Sequence, residues 1–206
     1  MEEKRKAKVS ILMPVYNVSP WIERALNSIP VRDDIELIVI DDCSTDNSLD
    51  LVLKYWQNTD LNMRVIHHKV NKGLSAVINT ALDMASGEYI WQFDSDDYII
   101  TEEWEKALEQ LDGTDMVYIN AVNDDGFKYV KFDETNHNWC AAWFYFIRKD
   151  FLGNLRRVIN VYGGDYEMYM TLINKPHTKK FTGLFGYHYN YPREGSITWK
   201  RFHGEL

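Results

Sequence analysis

The first hundred residues hold four short apolar runs, Val9 to Met13, Ile35 to Ile40, Met63 to His67 and Glu88 to Phe93, separated by amphipathic stretches. The run Ile35 to Ile40, apolar apart from Glu36, suits a strand buried on both faces. Spacers long enough for a crossover helix make neighbouring strands parallel. The pattern predicts an α/β chain, an open and mostly parallel sheet with helices on both faces. In the spacers, Ser19-Pro20 predicts a helix start and Pro30 its stop. Asp46 is expected to cap a helix reaching about Trp56, and Leu74 to Ala85 reads as a helix with Gly87 just past its end. Pro14 is expected to close the first strand.

Beyond the fourth run, Thr101-Glu102-Glu103 predicts a helix with a capping threonine, and Met116 to Val122 a strand turned at Asp125-Gly126 toward Tyr129. Trp139 to Ile147 reads as a further strand, and Asp165 to Ile173 as a short helix after Gly163-Gly164. A chain of 206 residues with 45% hydrophobic side chains can bury its own core. With no repeat or linker visible, one domain over 1–206 is expected.

Net charge is -8, which argues against a general nucleic-acid binder because phosphate backbones attract a basic surface. The last stretch differs: Lys175, Lys179, Lys180, Arg193, Lys200 and Arg201 face only Glu194 and Glu205, a composition suited to phosphates. Cys43 and Cys140 lie far apart and outside any zinc-ligand spacing, so a reducing, cytoplasmic setting is expected. No run is long enough to span a bilayer, which leaves room for peripheral membrane association.

Two predicted strands end in clustered carboxylates, Asp41-Asp42 and Asp94-Ser95-Asp96-Asp97. In an open α/β sheet the ligand crevice lies at the carboxyl ends of the strands, so these acids should converge. Aspartates also follow strands as turn formers and caps, an equal alternative for Asp46 and Asp97. A full set of acids along one edge would repel itself unless a cation or hydrogen-bond donors offset it.

Val9 to Asn17, Val39 to Asp46, Asn71-Lys72-Gly73-Leu74-Ser75, and Gly87 to Ile90 followed by Phe93 to Asp97 resemble, in order and spacing, a family 2 glycosyltransferase. The resemblance covers residues 8 to about 98. It implies a GT-A, Rossmann-like fold with a small acceptor-side antiparallel region, a nucleotide-binding half at about 8–98 and an acceptor-facing half at about 99–206. It also implies an inverting transfer of a hexose or N-acetylhexosamine from a nucleotide diphosphate sugar, UDP before GDP, to a hydroxyl acceptor. That acceptor could be a glycan, a lipid-linked sugar, a protein or a modified nucleobase.

By the same resemblance, Asp96 is the direct ligand of Mn²⁺ or Mg²⁺, Asp94 shares the metal or binds the ribose, and Ser95 turns the chain between them. Asp42 is the base-recognising acid, with Asp41 a less certain member. Pro14, Val15, Tyr16 and Asn17 wall the base pocket, although Val15 and Tyr16 would equally serve a core. Lys72 is a candidate phosphate contact or a solvated lysine. Many relatives open a helix with Glu-Asp and use it as general base; here Gly164-Asp165 stands at that place, so Asp165 is the candidate base and Glu167 its alternative.

Relatives commonly carry an arginine where this chain has Ile78, which removes one expected polar contact to the donor. The tail Tyr191 to Thr198 resembles a loop folded over the donor, so Arg193, Ser196 and Lys200 are candidate diphosphate contacts, with His188 and His203 as further members. Two other functions compete. A sugar nucleotidyltransferase would need a Gly-rich, Arg-containing loop where Pro14-Val15-Tyr16-Asn17 stands. A non-catalytic nucleotide-sugar-binding module would explain the missing glutamate and arginine.

Overall fold

The computed structural model describes residues 7–131, 141–159, 164–191, 193, 194, 196, 199, 200, 203 and 204. In chain order its elements are β1 (Val9–Val15), α1 (Ile22–Ser28), β2 (Ile35–Asp41), α2 (Ser48–Trp56), β3 (Asn62–His67), α3 (Leu74–Met84), β4 (Tyr89–Gln92) and β5 (Tyr98–Ile99). There follow α4 (Thr101–Glu109), β6 (Met116–Tyr118), β7 (Ala121–Val122), β8 (Lys128–Tyr129), β9 (Tyr145–Arg148), α5 (Lys149–Leu152), α6 (Gly164–Ile173), β10 (Lys179–Phe181) and β11 (Tyr187–His188).

The large sheet has seven strands in the order β10-β6-β9-β4-β1-β2-β3. The four strands β3, β2, β1 and β4 are mutually parallel, β9 runs antiparallel to β4 and β6, and β10 is parallel to β6. A second sheet, β5-β11-β7-β8, is mostly antiparallel. Alternation along β4 puts helices on both faces. Trp91 packs on Trp104 of α4, whereas Ile90 and Gln92 share a cavity with Ile78 and Leu82 of α3. Every residue of β2 is buried, as expected of a run that is apolar apart from Glu36 and the terminal Asp41.

Several element ends differ from the sequence reading. β1 continues through Pro14 to Val15 because its pairing with β4 stops at Leu12, so no neighbour asks Pro14 for an N–H. Helix α1 starts at Ile22 rather than at Ser19-Pro20, because the chain first turns, with Trp21 and Ile22 donating to the Val18 carbonyl. Thr101 does not cap α4; its hydroxyl donates to the Ser28 carbonyl and ties α4 to α1. Met116 to Val122 is not one strand but two, β6 in the large sheet and β7 in the small one. A 3-10 turn at Ala142–Phe144 delays the strand expected from Trp139 until Tyr145, and residues 132–140 lie outside those described. Among the described residues no helix is long and apolar enough to cross a membrane.

Candidate active site

Strands β2 and β4 flank β1, and all three are parallel, so the acids that follow them lie along one edge. Two strand spacings, about 10 Å, separate the two groups.

On the β2 side the edge is stitched by hydrogen bonds. Asp42 accepts from the backbone N–H of Lys72 (2.9 Å) and Gly73 (2.7 Å), and its Oδ1 lies 2.8 Å from His68 Nδ1. Asp41 Oδ2 accepts from the Ser44 N–H (3.1 Å) and meets His67 Nδ1 at 2.8 Å, whereas its buried Oδ1 has no partner. Asn17, at a left-handed φ of 51°, accepts from the Thr45 N–H (2.8 Å) and so clips the end of β1 to the loop after β2. Pro14 is half-buried and Val15 is buried in the core, while Tyr16 stands 48% exposed at the rim. Lys72 serves the site through its backbone, and its side chain is exposed.

The β4 side is more strained electrostatically. Burial, together with the neighbouring Asp96 carboxylate, pushes Asp94 up to about 6. Burial pushes Asp97 well above the usual carboxylate range, with Asp96 and Asp94 adding to it. Asp97 is held by the Tyr187 hydroxyl and by the Asn190 N–H at 2.7 Å, so it props the loop from within. Ser95 is buried between the two outward acids. Asp96 gives its backbone carbonyl to Arg24 (3.0 Å) and Asn190 (3.1 Å), and its carboxylate lies 2.6 Å from Arg193 Nε. That ion pair lacks the angle of a hydrogen bond, and the guanidinium also rests 4.5 Å over the Trp21 ring.

The tail therefore reaches the acids through Arg193. Ser196 turns inward on its own segment, accepting from the Trp199 N–H (3.0 Å), and the Lys200 N–H donates to the Ser196 carbonyl (2.9 Å). His188 is a strand residue stacked 4.0 Å from the Tyr98 ring, and His203 stacks on Trp199. Asp165 is half-buried in the first turn of α6, near enough for its charge to act on Asp94; Glu167 is exposed, and Gly163 lies outside the described residues.

Sequence reasoning missed the partners of these acids. His67, His68, Gln92, Arg157, Tyr187 and Asn190 all bond an acid or the residue beside one. The His67-His68 pair at the end of a predicted strand was a usable signal. Arg157 had none, because it comes from a loop between α5 and α6.

The sequence model described as glycosyl transferase family 2 matches residues 10–175. The chain belongs to that family. Among curated family 2 relatives, the poly(ribitol-phosphate) beta-N-acetylglucosaminyltransferase TarS of Staphylococcus aureus is 36% identical over 137 residues, 62% of this chain and 24% of TarS. The poly(ribitol-phosphate) beta-glucosyltransferase of Bacillus spizizenii is 36% identical over 138 residues, 63% of this chain and 22% of that protein. This family 2 chain thus spans about a quarter of the length of these relatives.

The crystal structure of TarS 1-349 in complex with UDP-GlcNAc has a TM-score of 0.80 and 25% identity, covering 92% of this chain and 60% of that one. A mannosyltransferase from Pyrobaculum calidifontis, in complex with GDP-Man and Mn²⁺, has a TM-score of 0.74 at 20% identity, covering 95% and 60%, a likeness of fold alone. The mixed sheet and helix arrangement is the GT-A fold of TarS.

Proposed function

We propose that this chain transfers a hexose or N-acetylhexosamine from UDP to a hydroxyl acceptor, with inversion and with a divalent cation at Asp94 and Asp96. The observation that supports the reading is the edge itself: acids follow two parallel strands at one edge of a fold shared with TarS, whose structure was solved in complex with UDP-GlcNAc. Both curated relatives are named for β-linked products of glucose-type sugars, and passage from an α-linked nucleotide donor to a β linkage is an inversion.

The residues present fit a cation. Burial, with the Asp96 charge adding to it, raises Asp94, and a positive group, Arg193, already lies against Asp96. No group of three protein ligands exists among the described residues, so donor phosphates and water would complete the coordination, the usual habit of Mg²⁺. When bound, the cation supplies Lewis-acid neutralisation of the departing diphosphate.

The chain's own residues do the rest. Asp42 recognises the base, its carboxylate held in place by the Lys72 and Gly73 N–H groups and by His68, with Asp41 behind it as the less certain member. Val15, Tyr16 and Asn17 border that side. Arg193 can follow the diphosphate with its charge, and Ser196 and Lys200 position the arm that bears it. Asp165, in the first turn of α6, accepts the acceptor's proton. The free Cys43 is consistent with a cytoplasmic setting, and residues 1–206 form one catalytic domain in this reading.

The test is transfer from UDP-GlcNAc and UDP-glucose to a panel of acceptors, poly(ribitol-phosphate) among them, with and without Mn²⁺. Asp96→Ala should abolish the metal-dependent rate. Asp165→Asn should lower turnover roughly 10²- to 10⁴-fold with donor affinity nearly intact. Full activity in Asp96→Ala would refute the metal assignment, and UDP binding with no product from any acceptor would favour a binding module.

A further inference from the structure

Arg157 is 4% exposed, and it sits in an apolar cavity with Leu12, Ile78, Leu82, Ile90 and Met168. Burying a guanidinium is costly unless a carboxylate pairs with it. Among the described residues Arg157 makes no ion pair. Its Nη2 instead donates to Gln92 Oε1 at 2.7 Å, and its Nε has no partner among those residues.

The backbone of Arg157 is clamped in place. Its N–H donates to Asn79 Oδ1 and its carbonyl accepts from Asn79 Nδ2, both at 2.9 Å. Gln92 then donates from Nε2 to Asp94 Oδ1 at 2.6 Å. An arginine can only donate, so the amide has one permitted orientation, carbonyl toward Arg157 and NH₂ toward Asp94.

A direct arginine contact would occupy the carboxylate and cancel its charge. A neutral amide in between fixes one oxygen and leaves Oδ2 uncommitted, while the positive charge behind it offsets Asp96. Ile78 lines the same cavity, so the positive charge on this side comes from the α5–α6 loop.

We propose that Arg157 is a positioning residue which, through Gln92, aims Asp94 Oδ2 at the cation and diphosphate of the donor. This rests on the donor reading given above. It concerns how Asp94 is held rather than whether it participates.

The experiment is calorimetric titration of UDP, with and without Mn²⁺, into the wild-type chain, R157K, R157M, Q92L and the double variant R157M/Q92L, each checked for folding by thermal melting. Loss of such an outer hydrogen bond to a metal ligand costs about 10- to 100-fold in affinity. R157M and Q92L should each weaken the Mn²⁺-dependent binding of UDP by about that factor and leave binding without Mn²⁺ within about 2-fold. The double variant should be no weaker than the worse single variant, because both break one chain of bonds. R157K, which keeps a charged donor, should recover part of the loss.

A purely structural role would lower the melting temperature without separating the two binding conditions. If R157M does not fold, Q92L still interrupts the relay. Wild-type binding that folded R157M or Q92L leaves unchanged, or losses that add in the double variant, would overturn this inference alone. A wild-type chain that binds no UDP in either condition overturns the donor reading and this inference with it.

Discussion

At Asp94 the folded chain holds a carboxyl whose pKa is about 6 against an ordinary 3.8. Folding therefore favours the protonated form. The stability this group contributes is complete below about pH 4 and is lost as the pH rises through about 6. At neutral pH the ionised Asp94 works against the ligand-free fold, as expected of a group shaped for a cation rather than for the core. Asp94→Asn keeps the acceptor that Gln92 uses and removes the charge. It should raise the stability of the ligand-free chain by about 1–2 kcal/mol at pH 7.5, discounted because the carboxyl is not wholly buried, and by almost nothing at pH 4. Melting curves of both proteins across that range check this, and parallel curves would show that Asp94 carries no such penalty.

Among the elements, the turn from α3 into β4 shows how an internal acid can organise a sheet. Glu36 of β2 is buried and accepts from Ser10 of β1 (2.5 Å), from Ser86 N (2.6 Å) and Gly87 N (3.0 Å) in that turn, and from Arg64 of β3 (2.5 Å). These donors outweigh burial and hold Glu36 below its usual carboxylate range. Its contribution is present above the ordinary value of 4.5 and is lost as the pH falls through the lowered one. Glu36→Leu, which strands the Ser10 and Ser86 donors and takes the carboxylate from Arg64, should cost about 3 kcal/mol in urea unfolding at pH 7.

Gly87 is part of the same clip. A Cβ there would lie 2.6 Å from the Ser10 nitrogen, so Gly87→Ala should cost about 1–3 kcal/mol by forcing the strands apart. An unchanged urea midpoint would show that the turn can shift. The sequence marked Gly87 as a helix-end glycine, whereas its close approach to β1 depends on a neighbour 77 residues away. The same distinction separates what could be read from what could not. Periodic runs such as Ile35–Asp41 announce themselves, but where β1 stops, or which sheet takes Ala121–Val122, is decided by partners distant in sequence.

Over the whole molecule, the acids of the edge come from the first half of the chain and the two arginines that meet them from the second. Asp41, Asp42, Asp94 and Asp96 were legible because acids after apolar strands form a local pattern. Arg157 and Arg193, which face Asp94 through Gln92 and Asp96 directly, were not both legible: Arg193 lay in a recognisable tail, whereas Arg157 carried no local mark. If the edge is a donor site, a ligand that binds only the folded form must stabilise it. UDP with Mn²⁺ at a hundredfold its dissociation constant should add about 2.7 kcal/mol, and chelation of the metal should remove most of that gain. Thermal shift with and without EDTA measures it, and equal shifts would show that the metal is dispensable for binding.

The division of charge also limits how such a protein can be remodelled. A replacement back half, brought in to serve a different acceptor, would have to supply again the charges that Arg157 sets behind Gln92 and Arg193 sets against Asp96. Swapped segments without those two charges would leave the front half with an edge that pushes itself open.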